Sequence, residues 1–314
     1  MALTAALMVS HAAQAQEYPS KPIRIVAPFA SGSPPEVVAR WLADGMSQDL
    51  GQPIVVESRP GGHGAIGLRE VLRAAPDGYT VAVISMPISV VPSISPAFQI
   101  DLNKDLQPIG RTSVSYNALV VAPILPVTSI GELVSLAKSQ PGKLSFMSGG
   151  YGTPAHVVGE LFKLETGVDV VHVPHTQFMQ GIGDVMTGRL DYGFLNTAAT
   201  IPHITAGRLR ALAVTAPKRL AAIGNVPTVA EAGFPNLQVS DWGMMLVRTG
   251  TPQAVVNRLN AALRKVLSDP AAAAALSKFG AEPVSSTPGE ARVFLDAEVA
   301  RWAKVAREGK LRIE

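Results

Sequence analysis

Apolar and polar positions along this chain switch repeatedly between two periods. "KPIRIVAPF" is a β-branched, apolar run bounded by prolines, which predicts a strand. In "PPEVVARWLADGMSQDLG" the residues Val37, Val38, Trp41, Leu42 and Met46 recur at helical spacing, so an amphipathic helix is expected next. "QPIVVES", "AIGLREVLRAA" and "YTVAVIS" continue the alternation through the loop "RPGGHG" and the turn "PDG", completing a βαβαβ series. A second series opens near residue 143: the strand "KLSFMS", the helix "GTPAHVVGELFKLETG", the strand "VDVVHV", the short helix "FMQGIGDVMTG", and then "RLDYGFLN", "ATIPHITAG" and "RLRALAVTA". Parallel strands with short crossover helices are the economical arrangement for each series. Past "LQVSDWGMMLV" the pattern is mostly helical. Val255, Val256, Leu259, Leu263, Val266 and Leu267 form one stripe, and Leu295, Val299 and Trp302 another. These faces need a sheet to cover, and the first series is where they are expected to return. The chain would then pass between two α/β domains twice, near residues 117 and 242. One domain would take 18–116 plus 243–314, the other 117–242. No Pro/Gly/Ser linker marks a boundary, which fits domains joined by ordered strands.

Composition agrees with this division. A chain of 314 residues has room for two domains of about 150. With 47% hydrophobic and 16% charged residues it can build a sizeable core, which argues against disorder. The net charge of +3 is mild and no Lys/Arg-rich block occurs, so nucleic acid is not an expected partner. Cysteine is absent, which excludes disulfides, thiolate metal sites, a Cys nucleophile and a lipid-modified Cys anchor. The N-terminus "MALTAALMVSHAAQAQEYPSKP" carries a short apolar run and then Ala13-Gln14-Ala15, an A-x-A pattern. Residues 1–15 are therefore expected to be a signal peptide. No Lys or Arg precedes the apolar run, which leaves open a start upstream of Met1. The run is too short to span a bilayer. The expected mature protein is soluble, exported, free in a Gram-negative periplasm, and monomeric.

Candidate chemistry concentrates in one stretch, "KLSFMSGGYGTPAHVVGELF". Gly150, Gly152 and Ala155 fit G-x-G-x-x-[GA], the dinucleotide fingerprint. The fingerprint belongs on the first strand of its unit, with an acid ending the next strand. Here the next strand ends in "HVPHT", and Asp169 stands at its start instead. No glycine-lysine-Ser/Thr follows, so a P-loop is also excluded, and no cofactor is expected. The same residues read better as a helix start: Thr153 as N-cap, Pro154 at N1, His156 at N3. "GSPPE" repeats the theme with Ser33, Pro34 and Glu36, an S-x-x-E capping box. Two strand–loop–helix turns thus present backbone N–H groups that attract anions. Glu36 would oppose an anion at the first end, so the second loop is the better site. Neither loop contains Lys or Arg, which favours a carboxylate over a phosphate.

Other candidates are fewer. His172 and His175, three apart on a strand, point to opposite faces and would not share a metal. His175, past the strand's C-terminal end, is a candidate to line a cleft; His63 is expected in an exposed loop and His203 on a helix surface. Trp242, beside the second crossing, either stacks on a ligand or plugs the core. No G-x-S-x-G elbow and no carboxylate pair spaced for acid–base work occurs, so no catalytic residue and no metal site is assigned.

Together "YPSKPIRIVAPFASGS", "LGQPIVVESRPGGHGAIG", "AAPDGYTVAV", "KLSFMSGGYGTPAH", "GRLRALAVTAPKR", "NVPTVAEAG" and "GTPQAVVNRLNAAL" resemble the Bug family, extracytoplasmic solute receptors of tripartite tricarboxylate transporters. The resemblance runs from about residue 18 to the C-terminus. It implies a periplasmic binding protein of type II-like fold, two α/β domains with a hinged interdomain cleft, and no enzyme activity. The implied ligand is a small carboxylate, with a dicarboxylate and an aromatic carboxylate as the candidates, passed to the transporter's membrane subunits. A sensor feeding a membrane receptor, or an enzyme acting on a carboxylate, are the alternatives. By position the resemblance implies ligand contacts from Phe29, Ser31, Gly32 and Ser33 in the first loop and from Ser148, Gly150, Gly152, Thr153 and His156 in the second. Ser85, Met86, His175, Asn196 and Trp242 complete the candidate set. There are departures. Where many members have "PFPPGG", this chain has "PFASGS"; for Tyr-Lys-Gly it has His175-Thr176-Gln177; for Phe-Asp-Asn it has Phe194-Leu195-Asn196. Losing that acid leaves no obvious partner for an ammonium group, so plain carboxylates are expected to bind better than amino acids.

Overall fold

The computed structural model describes residues 18–309, apart from Tyr151, Thr176 and Phe279. The expected signal peptide and its cleavage point after Ala15 lie outside the described residues. In chain order the elements are β1 (Ile23–Ala27), α1 (Pro34–Leu50), β2 (Ile54–Ser58), α2 (Ala65–Arg73), β3 (Thr80–Ser85), α3 (Met86–Ile94), α4 (Leu102–Asp105), β4 (Leu106–Ser115) and β5 (Asn117–Val121). They continue with α5 (Ile130–Ser139), β6 (Ser145–Ser148), α6 (Pro154–Thr166), β7 (Val171–Pro174), α7 (Phe178–Met186), β8 (Tyr192–Asn196), α8 (Thr197–Thr205) and β9 (Arg210–Val214). β10 (Asp241–Arg248), α9 (Gln253–Leu267), α10 (Pro270–Ser277), β11 (Ala281–Pro283) and α11 (Pro288–Gly309) close the chain.

These strands form two sheets. The first has the order β11-β4-β10-β3-β1-β2, the second β7-β6-β8-β5-β9. β1 pairs in parallel with β2 and β3, and β6 with β7 and β8, as the two series predict. The sheets are nevertheless mixed. β10 runs antiparallel to β3 and β4, and β5 antiparallel to β8 and β9. The reason is the crossing. β4 ends at Ser115 in the first sheet, and β5 begins at Asn117 in the second. A strand arriving from the other sheet enters at the crossover end, so it runs against the strands that finish there. β10 returns the same way and begins at Asp241, so the expected boundary after residue 242 falls inside this strand.

The C-terminal helices pack as their stripes predict, with one addition. Val256, Leu259, Leu263 and Leu267 of α9 share a buried cluster with Val38, Leu42 and Met46 of α1, on one face of the first sheet. α11 lies on the other face, where Leu295 and Trp302 are fully buried and the helix packs on α3 and β4. It also touches α6 of the second unit, and Arg301 donates to the carbonyls of Asn236 and Gln238, both at 3.0 Å. One apolar cluster consequently runs from Val26 and Ile84 through Trp242 and Trp302 to Phe146, Phe162 and Tyr192. Among the described residues no helix is long and apolar enough to cross a membrane.

Candidate functional site

The registers show which strand ends come together. Asp241 at the start of β10 lies opposite Ser115 at the end of β4, and Gly243 opposite Ser85 at the end of β3. In the second sheet Asn117, which opens β5, lies opposite Asn196, which ends β8. The carboxyl ends of β3 and β4 and of β8 therefore meet the crossover. Parallel pairing carries the ends of β1 and β6, and the loops after them, to the same side. Open α/β sheets bind ligands at this end of their strands.

The two glycine loops that follow β1 and β6 prove to be built alike. In the second, Thr153 has the extended backbone of an N-cap, yet its hydroxyl makes no cap bond. It donates instead to the Gly150 carbonyl at 2.7 Å. The N3 residue does the reaching: Gly152 N–H donates to His156 Nδ1 at 3.1 Å. In the first loop Ser33 likewise leaves its cap unmade and donates to the Ala30 carbonyl at 2.7 Å, while Gly32 N–H donates to Glu36 Oε2 at 3.1 Å. The expected capping box is thus replaced by a bond from the N3 side chain to the glycine before the cap. Gly32 and Gly152 sit at φ 78° and 75°, in the left-handed region that this turn requires.

The two ends differ in charge. Glu36 is 1% exposed and also accepts from Arg40 Nε at 2.5 Å and Ser58 Oγ at 3.2 Å. Burial pushes its pKa up, but the Gly32 N–H, Arg40 and Ser58 outweigh this and hold the carboxyl below its usual value. The first helix end is therefore occupied by an anion of the protein itself. The corresponding group in the second loop is an imidazole. Burial, with Lys163 adding to it, lowers the His156 pKa to about 4, so the ring is neutral at pH 7. Beside it stands His172, ring centroids 4.5 Å apart, with a pKa also lowered to about 4 by burial and by His156. His172 Nε2 lies 2.6 Å from the hydroxyl of Ser148, which is fully buried and accepts from Gly150 N–H at 3.0 Å. A chain of bonds thus braces the second loop without placing a negative charge at the α6 N-terminus.

The remaining candidates divide. Phe29 is partly buried where both first-sheet clusters meet, Ser31 and Gly32 are exposed, and Ser85 and Met86 stand at the crossover end of β3. Asn196 caps α8 through Oδ1, which accepts from Ala198 N–H at 2.9 Å. His172 and His175 do point to opposite faces: His172 meets α6, while His175 turns its Nε2 toward Asp184 of α7 at 3.6 Å. The ligand-stacking reading of Trp242 is corrected. Its side chain is 1% exposed, packs edge-on against Phe294 and donates to Glu298 Oε2 at 2.7 Å, so it plugs the seam between β10 and α11. Leu195 is buried with Ala118, Met147 and Ala155 and offers a ligand nothing polar. Among the described residues no cluster of His, Cys, Asp or Glu could hold a metal. Two polar residues at the crossover, Asn117 and Asp241, carry no motif and were not among the sequence candidates.

Residues 38–311 match the tripartite tricarboxylate transporter family receptor. Protein BugT of Bordetella pertussis is 34% identical over 296 residues, covering 94% of this chain and 91% of that protein. Solved structures agree over nearly the whole fold. The periplasmic binding protein BugD is 29% identical with a TM-score of 0.78, the match covering 95% of this chain and 100% of that one. An R. palustris protein with adipate is 32% identical with a TM-score of 0.80, covering 94% and 99%. MatC from Rhodopseudomonas palustris, with bound malate, is 27% identical with a TM-score of 0.78, covering 92% and 99%. Two sheet-containing domains in this topology, glycine loops collected at one end, and a match over most of the chain make this protein a member of the tripartite tricarboxylate transporter receptor family, the solute receptors its sequence motifs resemble.

Proposed function

We propose that this protein is a periplasmic solute-binding protein that captures a small carboxylate between its two domains and delivers it to the membrane subunits of a tripartite tricarboxylate transporter. The domains would be 18–116 plus 243–314 and 117–242, hinged at the crossovers. The observation that carries the reading is the pair of matched loops. Both present N–H groups at a helix start, but only the α1 end holds its own carboxylate. The α6 end holds no carboxylate of its own and its His156 and His172 rings are neutral, a setting that favours one negative charge by about 0.3–2 kcal/mol from the helix end alone. Adipate and malate in the two R. palustris structures support the ligand class.

The test is a thermal-shift screen of succinate, malate, adipate and benzoate, followed by calorimetry. A true ligand at 100 times its Kd stabilises the fold by about 2.7 kcal/mol. Failure of every carboxylate to shift the melting temperature, while some other solute does, would overturn the reading.

A further inference from the structure

The two glycine loops share a bond but differ in what makes it. In each, the side chain at the third helical position accepts the N–H of the left-handed glycine before the cap: Glu36 from Gly32 and His156 from Gly152, both at 3.1 Å. Gly32 is exposed, so its N–H can turn to solvent. Gly152 is buried, and a buried backbone N–H is nearly always paired. Because His156 Nδ1 accepts, the proton of the neutral ring sits on Nε2. The ring lies against His172, which stacks in turn on Phe146 with 4.8 Å between ring centroids. The next turn of each helix completes the contrast. Four residues on from Glu36, α1 places Arg40, whose Nε donates to the Glu36 carboxylate. Four residues on from His156, α6 places Glu160, paired with Lys163 at 2.9 Å. A carboxylate at position 156 would meet an acid where Glu36 meets an arginine.

α6 is therefore built for an acceptor without charge at its third position. We infer that His156 is the positioning residue of the second loop: as a neutral acceptor it fixes Gly152 in its turn and keeps the α6 N-terminus open to a ligand's carboxylate. This rests on the carboxylate-binding reading above and assigns the loop's geometry to one bond. His156 thus acts through Gly152 rather than on the ligand. A side chain that only filled space beside His172 would leave the Gly152 N–H unsatisfied. An acidic one would satisfy it and place a fixed negative charge where the ligand's charge is expected. Imidazole and amide side chains meet both demands, since each has an acceptor atom and no net charge.

The test uses three variants of the full chain and two readouts: residue-resolved amide exchange at Gly152 without ligand, and calorimetry with succinate, malate, adipate and benzoate. His156→Gln keeps an acceptor at the reach that Glu36 has in the first loop, so Gly152 exchange and affinity should stay within about threefold of wild type. His156→Leu keeps bulk and removes the acceptor. Exchange should quicken and affinity fall, each by about tenfold or more, the scale of leaving a buried donor unpaired. His156→Glu should keep Gly152 protected yet lose roughly tenfold in affinity, because its charge competes with the ligand's. If His156→Glu folds poorly, the other two variants still decide. His156→Leu matching wild type in both readouts while His156→Gln falls would make the ring a packing element and overturn the inference. His156→Leu losing affinity with Gly152 exchange unchanged would put His156 on the ligand itself and overturn it too. So would His156→Glu binding as tightly as wild type. If none of the four carboxylates binds although exchange follows the expected order, the carboxylate reading has failed and the bond's role in shaping the loop stands.

Discussion

Thr153 is the residue at which sequence and structure give the same importance for different reasons. As an N-cap its hydroxyl would hold a helix N–H. In the structure that hydroxyl and the Thr153 N–H both point to the Gly150 carbonyl, at 2.7 and 3.3 Å. Thr153→Ala therefore loosens the loop rather than the helix. The expected loss is about 1 kcal/mol of stability, with carboxylate affinity falling by less than about tenfold, because the hydroxyl shapes the loop and does not itself bond the ligand. Thr153→Ser keeps the hydroxyl and should restore both. Melting temperature and calorimetry on the same samples separate the effects: a large stability loss with unchanged affinity would return Thr153 to a purely structural role. Valine at position 152 is a blunter probe, since a β-branched residue at φ 75° strains the turn whether or not a ligand approaches it.

At the scale of elements, much was legible. Alternating strand and helix periods located the two βαβ series, and the α9 stripe named its own buried face. What escaped was direction. β5 and β10 are apolar strands like their neighbours, and nothing local says they enter from the crossover end and run antiparallel. The loops show a similar limit. Gly-Ser-Pro and Gly-Thr-Pro announce helix starts, but the bond from Glu36 or His156 back to the preceding glycine depends on how the turn closes. Trp242 was ambiguous because both faces of β10 are apolar: Trp242, Met244 and Leu246 belong to one cluster, Met245 and Val247 to another. The resolved Trp242 gives a prediction. Trp242→Phe removes the indole N–H from Glu298, which keeps a longer bond from Trp302 Nε1 at 3.3 Å. Stability should fall by about 1–3 kcal/mol while ligand affinity stays within about twofold. Denaturant titration beside calorimetry reads both, and a large affinity loss at unchanged stability would return the indole to the ligand site.

The whole molecule is two sheets that share a seam, and its expected motion follows from where the charge-seeking groups sit. The α1 and α6 N-termini belong to different units. A ligand reaching groups on both sides gains its full set of contacts only when the units approach. A ligand can shift a conformational equilibrium only by its differential affinity for the two states, and these added contacts supply that difference. α11 need not obstruct the motion. Its Arg301 bonds go to Asn236 and Gln238, a few residues before β10 begins, so this anchor would sit near the proposed pivot, and its contact with α6 would have to shift as the units approach. Small-angle scattering should therefore show a lower radius of gyration at saturating carboxylate than without it. Hydrogen exchange should show new protection in the 148–156 and 29–36 loops, with α11 nearly unchanged. Calorimetry at the same concentrations establishes saturation. An unchanged radius of gyration in a saturated sample, with protection confined to the α6 loop, would mean that the ligand rests on one domain and that closure is not what binding drives.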